Sequence, residues 1–373
     1  FGLGEGARTA EGFKLPAASG RRIDPASSQS DSPEGAPRIG VSLFEGLLVE
    51  GMMLRLLLGL AAAAADTPPK WNDVQYEAGS VWTAPLSAAV GNELLGRKLR
   101  DFFAGRSAPR AAAFVAARLS LGAELGIAYS NATGGAFGPF VDELGNNAGV
   151  YPRTLEHAHA FWLHYSAALS LANHNGIAGR FGGDGREDVV LRRFLPSSTV
   201  VGNRALEPFY FQRPWSAQLR NKTVLVVHPF TETIRSQYAK RLNGARFFDN
   251  GDVLPILREL KVVRAFTTLA DAPKPHASWS ESLDEMKRLI DAAAPFDVAL
   301  LGCGSYGLPL LGHVRNTHGV PAIYMGGGLQ LLFGIKGRRW TDRPEWRFNE
   351  HWVHPSREET PPGADKVEGG SYW

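Results

Sequence analysis

The chain has 373 residues, 44% hydrophobic and 21% charged, a composition that suits a folded globular protein and excludes a disordered or fibrous one. Forty basic against 37 acidic side chains leave a net charge of +3, and no Lys/Arg run is long enough to track a nucleic-acid backbone, so no nucleic-acid partner is expected. The single cysteine, Cys303, excludes an internal disulfide framework and favours a reducing, cytoplasmic setting, with an organelle or secretory lumen left open because many secreted enzymes also lack disulfides.

Residues 1–37 form a leader rich in Gly, Ser, Pro and Ala, too polar to fold alone. Such a leader is expected to dock on the body of the protein or on a protein partner. Residues 38–200 read as mainly helical, with apolar residues at helical spacing in 40–65, 85–104, 109–127 and 154–173. The apolar run at 52–65 is interrupted by Arg55 and is too short to span a bilayer, so it reads as a buried helix. FGGDGRED (181–188) reads as a surface turn.

Residues 201–340 alternate strand and helix. Strands are predicted at 222–227, 260–267, 297–301 and 320–325, with helices at 231–242, 278–294 and 308–318. Thr231 is placed to cap the first helix, whose buried face is Ile234, Tyr238 and Leu242, and Leu283, Met286 and Ile290 form the face of the second. This alternation predicts an α/β fold, a Rossmann-like, mostly parallel sheet flanked by helices, behind a helical N-terminal half. The tail, 341–373, is rich in Trp, Pro and charge and is expected to wrap the surface irregularly. Residues 38–373 are compatible with one compact domain.

Three predicted strands end in unusual chemistry. One runs into His228-Pro229-Phe230, another into Gly302-Cys303-Gly304-Ser305-Tyr306-Gly307, and the last into Gly326-Gly327-Gly328. Ligands of open parallel sheets bind beyond the carboxyl ends of the strands, and glycines there let backbone N–H groups approach a phosphate. Two such clusters on successive strands point to a phosphate-bearing ligand. The G-x-G-x-x-G at 302–307 also invites an NAD reading. That reading needs a carboxylate about 20 positions on, where the chain has Ile323-Tyr324-Met325-Gly326.

The segments RALEPFYFQRPW (204–215), VLVVHPFTETIRSQYAKR (224–241), LLGCGSYGLPL (300–310), MGGGLQLLFGIKGRRW (325–340), FNEHWV (348–353) and VEGGSYW (367–373) resemble a largely uncharacterised family that is similar to the GT-D glycosyltransferases. The resemblance implies a Rossmann-like fold, a nucleotide-sugar donor, a hydroxyl acceptor in glycan assembly, and a divalent metal (Mn or Mg). Relatives carry an Arg-x-Gly motif followed closely by an acid. Here Arg38-Ile39-Gly40 is followed by Glu45, with no aspartate between, and Asn173 stands where relatives carry Asp. Two other readings stay open. One is a catalytically inactive, transferase-like subunit docked in a larger complex. The other is a Rossmann enzyme using NAD or S-adenosylmethionine.

Within the transferase reading, Glu45 is the candidate base or metal ligand and Arg38 a phosphate ligand or its ion-pair partner. His228 is a candidate proton relay or phosphate donor, or else the residue that holds the HPF turn. Gly302, Gly304, Gly307, Gly326 and Gly327 are expected to present main-chain amides to the donor. Tyr306 is a candidate stacking partner, and Gln330 a candidate for a base or ribose. Lys336, Arg338 and Arg339 could add positive charge, and Glu207 is expected to clamp Arg204 or Arg213. Asn349, Glu350 and His351, crowded by Trp346 and Trp352, suggest a lid over the cleft. No metal-ligating constellation, Walker A lysine motif or G-x-S-x-G elbow stands out.

Overall fold

The computed structural model describes residues 85–105, 113–120, 122–182, 184–343 and 346–373. The chain divides into two units, Phe1–Ala62 and Ala63–Trp373, and every described residue belongs to the second. The apolar run 52–65 lies outside the described residues, and none of the described helices is long and apolar enough to cross a membrane.

The fold is a seven-stranded, all-parallel sheet with helices on both faces. Its strands are β1 Val115–Arg118, β2 Ile177–Arg180, β3 Thr199–Gly202, β4 Thr223–His228, β5 Glu259–Arg264, β6 Val298–Leu301 and β7 Ala322–Tyr324. They stand in the order β3-β2-β1-β7-β6-β4-β5. From β1 the chain steps outward to one edge. From β4 it steps to the other edge, then returns through β6 to β7, which pairs with β1 in the register Val115↔Ala322. The direction of travel reverses at β4/β6 and the two halves meet at β1/β7, where crevices open outside the strand ends.

Burial on both faces explains the nearly unbroken apolar strands. All six residues of β4 are buried. Alternate residues feed opposite layers. Val115, Leu225, Val227, Ala299 and Leu301 join one core with helices α4 (Leu155–Asn173), α7 (Trp279–Ala292) and α8 (Gly307–His313). Ala116, Val224, Val226, Leu300 and Ile323 join the other, with α1 (Ala88–Phe103) and α6 (Thr231–Leu242).

The predicted helix over 109–127 is instead strand β1 followed by α2 (Ala123–Thr133). Val115-Ala116-Ala117 carries no period that separates strand from helix, and its place between β2 and β7 decides the matter. Strand β2 lies within the part read as helical, 38–200, and β3 crosses its end. The turn predicted at 181–188 opens helix α5 (Gly185–Phe194), capped by Asp184. There the fully buried Glu187 carboxylate accepts from the Phe181 and Gly182 backbone N–H groups, both at 2.9 Å. The face of α7 is as expected, with Leu283, Met286 and Ile290 at 0% exposure, and the Ser278 side chain caps its start. In α6, Ile234 and Tyr238 are buried but Leu242 is exposed. Its cap comes from the tail, since Glu359 Oε1 accepts from the Glu232 N–H at 2.8 Å.

Candidate functional site

The strand ends of β1, β7, β6 and β4 open into one cleft of about 440 Å³, a size that suits a small ligand. It is lined by His228, Gly302, Gly304, Tyr306, Gly326, Gly327 and Gln330, all anticipated, and by Arg118, Glu124, Arg339, Arg343, Tyr372 and Trp373. Arg38 and Glu45 lie outside the described residues.

The two glycine turns adjoin. A Cβ on Gly302 would lie 2.8 Å from the Gly326 carbonyl oxygen, so the backbones are in direct contact. Gly304 has a φ of +56° and nothing within 4 Å of a built Cβ, which leaves its backbone open to the cleft. The Tyr324 hydroxyl donates to the Gly304 carbonyl at 3.0 Å and holds that turn. Gly326, at φ +58°, faces the Arg118 guanidinium, and Gly327 faces the Tyr372 ring. Gly307 packs on the ring of Tyr324 and serves the fold rather than the cleft.

Burial lowers the pKa of His228 to about 3, so the ring is neutral. Its Nδ1 accepts from the Phe230 N–H at 3.0 Å, which places the ring proton on Nε2. His228 therefore holds the HPF turn and offers the cleft a hydrogen-bond donor, not a base. Tyr306 stacks on Trp279, centroids 5.0 Å apart, and its hydroxyl pairs with Thr268 at 3.0 Å. It is the floor of the cleft, not a free stacking partner. Gln330 is buried and its Nε2 donates to the Tyr372 carbonyl at 3.1 Å, tying down the tail. Cys303 is buried, and burial pushes its thiol up, away from the reactive thiolate.

Glu124, in the first turn of α2, was not singled out from the sequence. Burial raises its carboxyl pKa to about 7, against the lowering pull of its own backbone N–H and of Ser120, while Glu368 raises it and Arg118 lowers it. A carboxyl poised near neutrality in a cleft suits proton transfer. Its sequence signal, one glutamate after Gly122-Ala123, is too ordinary to find without the sheet order.

The cleft's cationic wall is Arg118, Arg339 and Arg343. Arg118 Nε is buried without an acceptor, and its guanidinium lies 4.4 Å from the Phe181 ring centroid. Arg339 pairs with Glu368, whereas Arg118, Arg204 and Arg343 form no ion pair among the described residues. Arg118, Arg339 and Arg343 also line a second recess of about 400 Å³, with Arg180, Arg204 and Glu207. Burial raises the Glu207 carboxyl, against the pull of Arg118, Arg204, Arg343 and Arg339. Glu207 makes no ion pair with Arg204 or Arg213 and instead abuts Gly328, the first residue of α9 (Gly328–Leu332). Lys336 lies over the Phe348 ring and Arg338 is exposed, so only Arg339 of that basic trio reaches the cleft.

Asn349 donates to the Arg246 carbonyl, and Trp346, Phe348 and Trp352 form an aromatic cluster with Phe248. Neither Asn349 nor Glu350 nor His351 lines the cleft; the tail residues that do are Arg343, Glu368, Tyr372 and Trp373. The Arg-x-Gly-plus-acid order sought at 38–45 recurs in Arg180-Phe181-Gly182 and Asp184, at the end of β2 beside both recesses. Its carboxylates are engaged. Asp184 pairs with Arg186, Asp188 with Arg180, and Glu187 with two backbone amides. Among the described residues, the cleft brings no three His, Cys, Asp or Glu ligand atoms together. Among the described residues, its donor set offers an anion the guanidinium groups of Arg118 and Arg343 and does not gather the ligands of a metal. No family model, curated protein or solved structure matches the chain.

Proposed function

We propose that the cleft binds the diphosphate of a nucleotide-sugar and that the protein transfers the sugar to a hydroxyl acceptor. The observation that carries this reading is the contact between the Gly302 and Gly326 turns beside Arg118, whose Nε lacks an acceptor. The Gly302 N–H is itself taken by the Val227 carbonyl at 2.9 Å, so an anion there would meet the Arg118 guanidinium and the backbone of the neighbouring Gly304 and Gly326–Gly327 turns.

In the transfer, the bond between the sugar's anomeric carbon and the diphosphate oxygen breaks, and a bond from that carbon to the acceptor oxygen forms. The leaving diphosphate takes the electron pair. Arg118 and Arg343 stabilise its charge, as preorganised cations do for a developing anion. The acceptor's proton passes to the Glu124 carboxylate, which is partly ionised at neutral pH because its pKa is about 7. The neutral His228 donates from Nε2.

Two observations favour a second reading, a transferase-like scaffold without turnover. Tyr372 covers Gly327, and Arg339 is already paired with Glu368 at the rim. The test is thermal denaturation with a panel of nucleoside diphosphates and their sugar conjugates. The transferase reading expects a melting point raised by at least one of them, since ligand bound to the native state adds stability. It also expects that shift to vanish in Gly304→Val and in Arg118→Gln. If no nucleotide moves the melting point, the transferase reading is lost. Binding with no sugar transfer or hydrolysis favours the scaffold.

A further inference from the structure

Away from the cleft, at the far ends of α7 and α8, three side chains converge. Asp291 lies in the last turn of α7, His313 ends α8, and His318 ends the π-helical turn Val314–His318 that follows it. Nε2 of His313 and Nε2 of His318 each lie 2.8 Å from the same oxygen, Asp291 Oδ1. The geometry points to a transition-metal site, a His2Asp set for Zn²⁺ or a similar ion, which clamps α7 to the helix that leads into β7.

The backbone explains why two histidines five apart share one face. In an α-helix, residues i and i+5 diverge by about 140°. A π-turn bonds i to i+5 and brings the fifth residue back over the first. Such turns are rare and collect at functional positions. Here the turn closes at Gly319, in a left-handed conformation with φ +64°. Without it, His318 would point away from Asp291.

The donor types fit the ion. Imidazole with a single carboxylate suits Zn²⁺, Co²⁺, Ni²⁺ and Cu²⁺ and is poor for Mg²⁺ or Ca²⁺. Metal bonds of about 2.0–2.1 Å place neighbouring ligand atoms roughly 3.0–3.4 Å apart, so the two observed 2.8 Å separations need a movement of only tenths of an ångström, and all three ligand atoms lie within 4.8 Å of one another. The rings are already oriented. Thr317 Oγ1 lies 3.3 Å from His313 Nδ1, and Phe296 packs on the ring of His318, centroids 4.9 Å apart. Both His side chains are mostly buried, at 16% and 14% exposure, while Asp291 at 43% leaves a way in. A partner on the far ring nitrogen is the usual support of a metal-binding histidine.

The site is independent of the proposed transferase cleft and is tested without any nucleotide. Metal-stripped protein is titrated with Co²⁺ while its visible absorption is read, and the melting point is read with and without Zn²⁺. The expected results are one Co²⁺ per chain, displaced by Zn²⁺, and a melting point raised by Zn²⁺. Both responses should be lost in His313→Ala and in His318→Gln, and Co²⁺ affinity should fall at least tenfold in Asp291→Asn. Wild-type protein with neither a Co²⁺ band nor a Zn²⁺-dependent melting point overturns the proposal. So does a band that survives in the His313→Ala/His318→Gln double variant, because the metal is then held elsewhere.

Discussion

Gly302 and Gly326 are pressed together: a methyl group on the first would come within 2.8 Å of the carbonyl oxygen of the second, and within 2.7 Å of His228 Cδ2. No real Cβ tolerates such a contact with backbone, so the turns must part if a side chain is added. Gly302→Ala is expected to cost about 1–3 kcal/mol of stability, the usual range for overpacking. Gly304→Ala meets open space and should cost only the left-handed backbone term, about 1–2 kcal/mol. Paired urea melts of the two variants decide this. Gly304→Ala as the more damaging change would mean that the turns are not in contact.

Two buried groups pull the pH dependence of stability in opposite directions. Glu124 has a folded pKa of about 7 against an ordinary 4.5. The native state therefore keeps a proton that the unfolded chain gives up, and this contribution, complete below pH 4.5, is lost as pH rises to 7. His228 has a folded pKa of about 3 against 6.5. Its contribution is complete above pH 6.5 and is lost as pH falls toward 3. Between 4.5 and 6.5 the two slopes, each at most about 1.4 kcal/mol per pH unit, offset one another. Relative to wild type, Glu124→Gln should gain stability as pH rises through this window. His228→Asn, which keeps an acceptor for the Phe230 N–H, should lose it. Denaturant melts at pH 4.5, 5.5 and 6.5 read both trends, and parallel curves for all three proteins would refute the burial of these groups.

Gln330 is the buried link between the second glycine turn and the tail, through its 3.1 Å bond to the Tyr372 carbonyl. Gln330→Leu keeps the volume but leaves that carbonyl without its donor, a loss of about 1–3 kcal/mol. Amide exchange should speed up across 368–373, where the backbone bonds from Arg338 to Trp373 and from Arg339 to Ser371 complete the docking. Unchanged exchange in that segment would show that Gln330 does not hold the tail.

The C-terminal strands, their order along the chain and the glycine turns were legible because β4 and β6 are β-branched or aliphatic runs that end in glycine or in His-Pro. Strands β1 to β3 were not legible. VAAR, IAGR and TVVG are four residues each, and alanine and glycine carry no periodicity, so only pairing with neighbours makes them strands. Arg118 and Glu124 were missed for the same reason, since they matter only once β1 is known to lie beside β7. The roles of His228, Tyr306 and Gln330 depended on which atom each hydrogen-bonds, and sequence spacing does not carry that. The His313–His318 pair stayed hidden because a five-residue interval means a shared face only where a π-turn replaces the α-helix.

The pairing of Val115 with Ala322 also fixes when the cleft comes into being during synthesis. A ribosome that has released β1, Arg118 and Glu124 still has some two hundred residues to make before their neighbour strand exists, and the rim residues 368–373 emerge later still. A contact spanning so much chain is slow to close. A fragment cut near residue 220 would carry either the arginine and the carboxyl or the glycine turns, never both. The cleft as a whole therefore needs both parts of the chain and exists in neither alone.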